Sequence, residues 1–455
     1  MPGRNVITMS GGSAATAGRR RIQAFALAAL CFVLAGLLRV YHYRSLPEFS
    51  PADDTALFTT EDALQYRYAR MVAQGKRIPD LDPGLHHPEG FDVRRNLTTL
   101  VEQVEGGLYR CVGQGAPLHV FLVTLVCFVS SLGVFAAYGT ATSIWRSRRS
   151  GLFAAALYCV AVPTYSRIIG GYGTEHFALP LLFFGIWAIV AALDTEEADP
   201  RCDRRSQLRA LVAGLCFAAA LAAWHLSRFL FSVVLASLVL VWLLLEGIGS
   251  PKAARVSGAV PWLLAPVLAA SVLVPILQAR PFWTSPFFLT AAVVPVVVRL
   301  GQMRTARIRL VSFAGLALLL VLISRILPTG DTGYSHVWGI VVAKIANFGI
   351  KPSDPAKLPF EARALWIEDV RSPSVAAFLL TYGLLPLLAV LGLAARFGMQ
   401  KERPLDPGVL FFGALVLGGV VVYLLFARMT CYCAFFLIVL ASGVTTAPRP
   451  LLLRG

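Results

Sequence analysis

The sequence predicts an all-α integral membrane protein with about twelve transmembrane helices and two long extracytoplasmic loops, and three observations support that expectation. First, 57% of the 455 residues are hydrophobic and the mean hydropathy is +0.68. A soluble chain of this composition has too little polar surface to cover so many apolar runs of membrane length. Second, basic residues crowd the short loops between alternate runs: Arg146, Arg148 and Arg149; Arg201, Arg204, Arg205 and Arg209; Lys252 and Arg255; Arg299, Arg304, Arg307 and Arg309; Arg396, Lys401 and Arg403; Arg449 and Arg454. The positive-inside rule makes these loops cytoplasmic. Third, the opposite side carries two long polar segments, 41–115 and 328–373, and the first of them is rich in acids. The formal net charge of +16 would suggest nucleic acid for a soluble protein. Here it belongs to membrane-flanking loops, and no nucleic-acid partner is expected.

In chain order, residues 1–21 read as a cytoplasmic N-terminal tail. Arg19, Arg20 and Arg21 lead into the first apolar run without a small-residue cleavage site, so that run reads as a retained helix. The expected spans are 22–40, 116–144, 151–163, 177–193, 209–223, 226–246, 257–277, 287–299, 310–326, 375–395, 408–426 and 429–445. They make one polytopic domain over 22–445, with both termini cytoplasmic and 446–455 as a C-terminal tail. No internal repeat is visible. The cysteines fall mostly in apolar runs and lack CxxC spacing, which argues against a zinc site.

Within the first outer segment, EDALQYRYARMVAQG reads as an amphipathic surface helix. Its Ala63, Tyr66 and Met71 turn toward the membrane, and its Arg67 and Arg70 toward water. The following IPDLDPGLHHPEGFD, full of Pro and Gly, reads as an irregular loop. In the second outer segment, IANF and EARALW are expected as short helices.

The polar residues of this outer face are the candidate site. Glu61, Asp62, Asp80, Asp82, Glu89 and Asp92 put carboxylates at a membrane surface, where a cation that seeks oxygen ligands would be well held. A short connection, TYSRIIGGYGTEHF, brings Arg167, Glu175 and His176 to the start of a span. Glu175 either shares a cavity with the first carboxylates or caps its own helix. Glu368 and Asp369 add a third acidic position, which reads equally as loop surface beside Arg371. Arg428 sits between two apolar runs on the outer side, against the positive-inside bias. A bound anion such as phosphate explains it, and so does snorkelling to lipid headgroups. Trp224, His225 and Arg228 in LAAWHLSRFL form a polar edge at the same face.

With these motifs in place the sequence resembles the catalytic subunit family of oligosaccharyltransferases, multispanning GT-C type glycosyltransferases that use lipid-linked sugar donors. EDALQYRYARMVAQG resembles the family's first outer motif, with Asp62 as its aspartate, and PDLDPGLHHPEG the stretch that follows. SRIIGGYGTEHFALP resembles the second motif through its lead and final acid, Glu175, and AWHLSRFLF the next tryptophan-bearing span. ALWIEDVRSP resembles the glutamate motif of the long late loop, at Glu368, and ARMTCYCAFFL the arginine-led late span, at Arg428.

The resemblance implies a glycosyltransferase working at the extracytoplasmic face of a bacterial or archaeal cytoplasmic membrane, on a polyprenyl-phosphate or polyprenyl-diphosphate sugar donor. Asp62 and Glu368 would be catalytic, and Asp62, Glu175 and Glu368 would bind a divalent cation, Mg or Mn. Arg428 would meet the donor phosphate, with an additional site from Asp80, Asp82, His176, Trp224, His225 and Arg228. Two departures qualify what it implies. Gly173 stands where the family has the first acid of the second motif, and the family's polar C-terminal domain with its Trp-Trp-Asp motif has no counterpart in the sequence. An acceptor other than a protein sequon, or an accessory protein that presents the acceptor, is the corresponding expectation. Besides donor and acceptor, the partners are membrane lipids. A transporter or flippase of lipid-linked glycans, or a non-catalytic lipid-binding scaffold, is the alternative.

Overall fold

Lipid offers backbone N–H and C=O groups no partners, so each apolar run satisfies them internally as a helix. A computed structural model describes residues 11–55, 57–193, 203–279, 281–301, 305–326, 335–366, 370–399 and 406–446. The chain opens with α1 (Gly11–Arg44) and then builds the first outer segment. That segment holds α2 (Thr60–Ala73), the short strands β1 (Leu81–Asp82) and β2 (Phe91–Asp92), α3 (Val93–Asn96) and α4 (Leu100–Leu108). Next come α5 (Leu118–Ser131), α6 (Gly133–Trp145), α7 (Arg148–Val160), α8 (Glu175–Leu193), α9 (Arg204–Ala223), α10 (Ser227–Gly247) and α11 (Ala253–Leu273). After α12 (Pro275–Ala279), α13 (Pro286–Leu300) and α14 (Ala306–Ile326), the second outer segment contributes α15 (Ser335–Ala346) and α16 (Phe360–Leu365). The last helices are α17 (Val375–Tyr382), α18 (Leu385–Met399), α19 (Pro407–Leu425) and α20 (Thr430–Ala441).

Among the described residues, 9 helices are long and apolar enough to cross a membrane, or up to 11 if each of two bent pairs is one span. The expected span 375–395 is one of those pairs: α17 and the start of α18 meet at 81°. Gly383 stands at the break with φ 54, a left-handed conformation that interrupts a helix and costs glycine little. The expected span 151–163 is α7, whose 13 residues make a helix of only roughly 20 Å, short of the hydrocarbon thickness. It packs against α1, α6 and α20, so protein encloses much of it. The expected N-terminal tail is already helical from Gly11, while residues 1–10 and 447–455 lie outside the described residues.

The main core runs through α6–α11, α13, α19 and α20. Phe183 and Phe435 stack at 4.1 Å between ring centroids, and Trp145 Nε1 donates to the Val439 carbonyl at 2.7 Å. Fully buried Arg39 donates to Ser131 Oγ at 2.8 Å and Thr164 Oγ1 at 3.1 Å and lies over the rings of Tyr158 and Tyr165. These bonds pin α1 to α5 and to the turn after α7, as a membrane-interior arginine requires. At the basic end, Arg146 pairs with Asp406 at 3.1 Å and Arg309 with Glu246 at 2.7 Å.

At the other end, α2 keeps Arg67 and Arg70 exposed, as its sequence pattern predicts, and buries Tyr66, Tyr68 and Ala69. Its buried side meets Leu57, Phe58, Tyr165, Ile168 and Tyr172 in a second core cluster. Gly106 lets α4 lie directly on α2: a Cβ there would stand 2.6 Å from the Ala69 carbonyl oxygen. The stretch read as irregular contains the β1–β2 pair, with Leu81 opposite Asp92. The second outer segment has a small core of Ile340, Ala343, Leu358, Ala362 and Trp366.

Candidate functional site

The site forms where three chain turns meet: the start of α2, the connection 165–174 with the start of α8, and the short turn Ala427–Met429 between α19 and α20. Glu61 and Asp62 occupy the first turn of α2, and Glu175 is the first residue of α8, so all three carboxylates stand at positive helix ends. Arg428 reaches across from the third turn. Its Nε donates to Glu175 Oε2 at 2.9 Å, and its Nη2 lies 4.0 Å from Glu61 Oε2. The other oxygen of Glu175 accepts from Arg167 Nε at 3.3 Å. Glu175 therefore stands at the positive end of its helix and joins the cluster at once, and Arg428 faces carboxylates rather than lipid headgroups.

Asp62 lies alongside. Its Oδ2 accepts the Tyr172 backbone N–H at 2.8 Å, and its charge senses Glu61, Glu175 and Arg428. Burial pushes the Asp62 carboxyl above its ordinary pKa, with Glu61 and Glu175 adding to the rise and the Tyr172 amide and Arg428 opposing it. Gly171 keeps the 165–174 connection tight, since a Cβ there would stand 2.9 Å from the Arg167 carbonyl oxygen. His176 is buried behind Glu175. A Cβ on Gly173 would meet Glu175 Cγ at 3.4 Å, an ordinary contact.

A groove of about 490 Å³ opens from this cluster between α10, α15 and α19. Phe229, Val233, Ile340, Val422 and Phe426 line it, and Arg428 is the one charged residue among the described lining residues. Lys344, itself fully buried, donates to the carbonyls of Val370 and Leu425 and sits over the Phe426 ring, which holds the second outer segment against the groove wall. The Ala427 amide adds a bond to the Arg371 carbonyl at 2.9 Å. A larger cavity, about 710 Å³, lies against α9 and α11; it includes Asp80 but none of Asp62, Glu175 and Arg428.

Of the residues singled out from the sequence, Asp62, Glu175, His176 and Arg428 come together. Asp82 does not join them: Arg67 holds it at 2.6 and 3.1 Å, Tyr68 at 3.0 Å and the Gly84 amide at 2.9 Å. Exposed Asp80 stands 4.0 Å from Arg94. Trp224 is buried in the main core, and His225 and Arg228 belong to the turn that carries Leu226 and Phe229 into the groove wall. Glu368 lies outside the described residues. The expected metal set fits poorly, because both Glu175 oxygens are held by arginines and Asp62 Oδ2 by an amide. Among the described residues no group of three or more His, Cys, Asp or Glu is arranged for a metal ion. The sequence reading gave no separate role to Glu61, Tyr172 or Glu105. The adjacency of Glu61 and Asp62 hid the first, because neighbouring helical residues point about 100° apart and a linear motif does not tell which one faces the cavity.

The profile of the Dpy19 family, described as Q-cell neuroblast polarisation, matches residues 58–347. The chain belongs to the Dpy19 family. No curated protein matches it significantly. Among solved structures, this Dpy19-family chain is similar to the archaeal oligosaccharyltransferase AglB from Archaeoglobus fulgidus in complex with an inhibitory peptide and a dolichol-phosphate. The TM-score is 0.67 at 12% identity, over 94% of this chain and 50% of that one. The apo form of the Archaeoglobus fulgidus oligosaccharyltransferase gives 0.64 at 12% identity, over 93% and 50%. The form tethered to an acceptor peptide containing the NVT sequon gives 0.63 at 13%, over 93% and 49%. The chain thus spans about half the length of these enzymes. The fold is similar to that of the oligosaccharyltransferase, as the motifs anticipate, and the family is Dpy19.

Proposed function

We propose that this Dpy19-family chain is a membrane glycosyltransferase that takes a sugar from a polyprenyl-phosphate or polyprenyl-diphosphate donor and transfers it at the extracytoplasmic face. One observation carries the reading: an apolar groove ends on Arg428, and Arg428 stands between buried Glu175 and half-exposed Glu61. An isoprenoid tail has the chemistry for such a groove, and a guanidinium has the chemistry for a phosphate at its head. The AglB structure with dolichol-phosphate supports the same class of donor.

In this reading the bond between the sugar's anomeric carbon and the phosphate oxygen breaks, and its electron pair stays on the phosphate. Arg428, with Arg167 behind Glu175, compensates the charge that develops there. The acceptor's nucleophilic atom bonds to the anomeric carbon and its proton passes to a carboxylate. Glu61 is the best placed: it faces Arg428 and its side chain is 47% exposed, whereas Asp62 is tied to the Tyr172 amide. Asp62 then orients the turn, and Glu368 is kept as a further acid on its motif alone. No step is routed through a divalent cation. The test is binding of dolichyl phosphate by the purified protein in detergent, followed by transfer from labelled lipid-linked sugars. Arg428→Ala lowers affinity for dolichyl phosphate and cuts turnover about 10²-fold. Unchanged binding and unchanged transfer by this variant overturn the reading.

A further inference from the structure

Tyr172 touches three elements at once. Its backbone N–H holds Asp62 at 2.8 Å, its ring packs on Phe58 at 5.0 Å and edge-on to Tyr66 of α2 at 6.4 Å, and its phenol donates to Glu105 Oε2 on α4. Glu105 and its neighbour one turn earlier, Glu102, are buried at 0% and 2% exposure. Among the described residues, Glu105 Oε1 and Glu102 Oε2 have no hydrogen-bond partner. Burial raises the Glu105 carboxyl well above the ordinary carboxylate range, and Glu102 to about 8. A position that only filled space beneath α2 would be apolar, because buried polar atoms without partners are costly. Among the described residues, the bond that the Glu105 side chain makes falls on the residue that holds Asp62.

We propose that Tyr172 and Glu105 are a positioning pair: the phenol–carboxyl bond locks the 165–174 connection onto α4, and the Tyr172 amide then fixes the first turn of α2 so that Glu61 faces Arg428. The pair acts through the peptide backbone and touches neither donor nor acceptor. The proposal rests on the transferase reading for its kinetic consequence, but its structural consequence is measurable without it.

The experiment compares the full chain in detergent with Tyr172→Phe, Glu105→Gln and Glu105→Leu, reading hydrogen exchange in the peptide 165–174, the unfolding temperature and transfer kinetics. Glu105→Gln keeps an oxygen for the phenol, so protection and turnover stay at the parent level. Tyr172→Phe and Glu105→Leu lose protection at 165–174, and kcat falls about ten-fold or more while the donor KM holds, because a misplaced turn costs turnover and the groove is untouched. Tyr172→Phe removes a single oxygen, so it remains informative even if Glu105→Leu does not fold. The proposal is overturned if Tyr172→Phe exchanges and turns over like the parent, or if Glu105→Gln falls as far as Glu105→Leu. A parent protein without transfer activity defeats the transferase reading instead, and exchange at 165–174 still decides the positioning pair.

Discussion

The two outer segments cover the same end of the helix bundle and are held there by different forces. The first, with α2 and α4, is fastened by directed polar bonds: Asp62 to Tyr172, Tyr66 to Asp54 at 2.5 Å, Asp82 to Arg67 and Tyr68, and Tyr172 to Glu105. The second, with α15 and α16, has a small apolar core and one buried cation, Lys344, bonded to main-chain carbonyls. It also exposes Phe348, Ile350 and Phe360. Directed bonds fix side-chain orientation, which chemistry needs. A small apolar core with one cationic clasp holds a segment in place without dictating the aim of its side chains. Under the proposed function, the first segment aims the carboxylates and the second walls the lipid groove.

The sharpest way to break this division is Glu61→Gln. Turnover should fall about 10³-fold while affinity for dolichyl phosphate holds; a variant as active as the parent would reduce the first segment to scaffold. Lys344→Ala tests the other side. It removes the lysine donor from the Val370 carbonyl and leaves the Leu425 carbonyl to Ser372 Oγ at 3.3 Å, a local cost of about 1–3 kcal/mol. Hydrogen exchange across 335–366 should rise and dolichyl phosphate affinity fall, with kcat at saturating donor retained. A fall in kcat instead would bring the second segment into the chemistry.

Smaller again is the effect of Glu102→Gln. Folding raises the Glu102 pKa from 4.5 to about 8, so between those values the folded chain holds a proton that the unfolded chain has lost. The stability this contributes is present below the unfolded value and is lost as pH climbs toward 8. The variant should therefore be more stable than the parent at pH 8 and differ little from it at pH 5, read as the shift in unfolding temperature. No such pH dependence would mean that Glu102 is hydrated. The smallest effect is none: exhaustive chelation leaves transfer unchanged, because arginines hold the carboxylate a metal would need. Lost activity restored by Mg or Mn would return a cation to the site.

Much of the bundle was legible because the membrane imposes a local rule: a run of apolar residues that enters lipid must be helical. Where contacts replaced that rule the reading weakened. The short α7 is enclosed by its neighbours, and α17 and α18 bend at Gly383, a detail of one backbone angle. Within the site, Asp62, Glu175 and Arg428 were readable from motif likeness. Glu61 was passed over for its neighbour, and Asp80 and Asp82 looked available until Arg94 and Arg67 were seen beside them.

By itself, the sequence determined that this protein lies in a membrane, and that its basic loops and its long polar segments alternate between the apolar runs, because hydropathy and charge are properties of short segments. Which of their polar groups meet was decided only in three dimensions. Glu175 and Arg428 are separated by 253 positions in the chain and joined by one 2.9 Å bond. Helix packing sets such a contact, and no local stretch of residues encodes it.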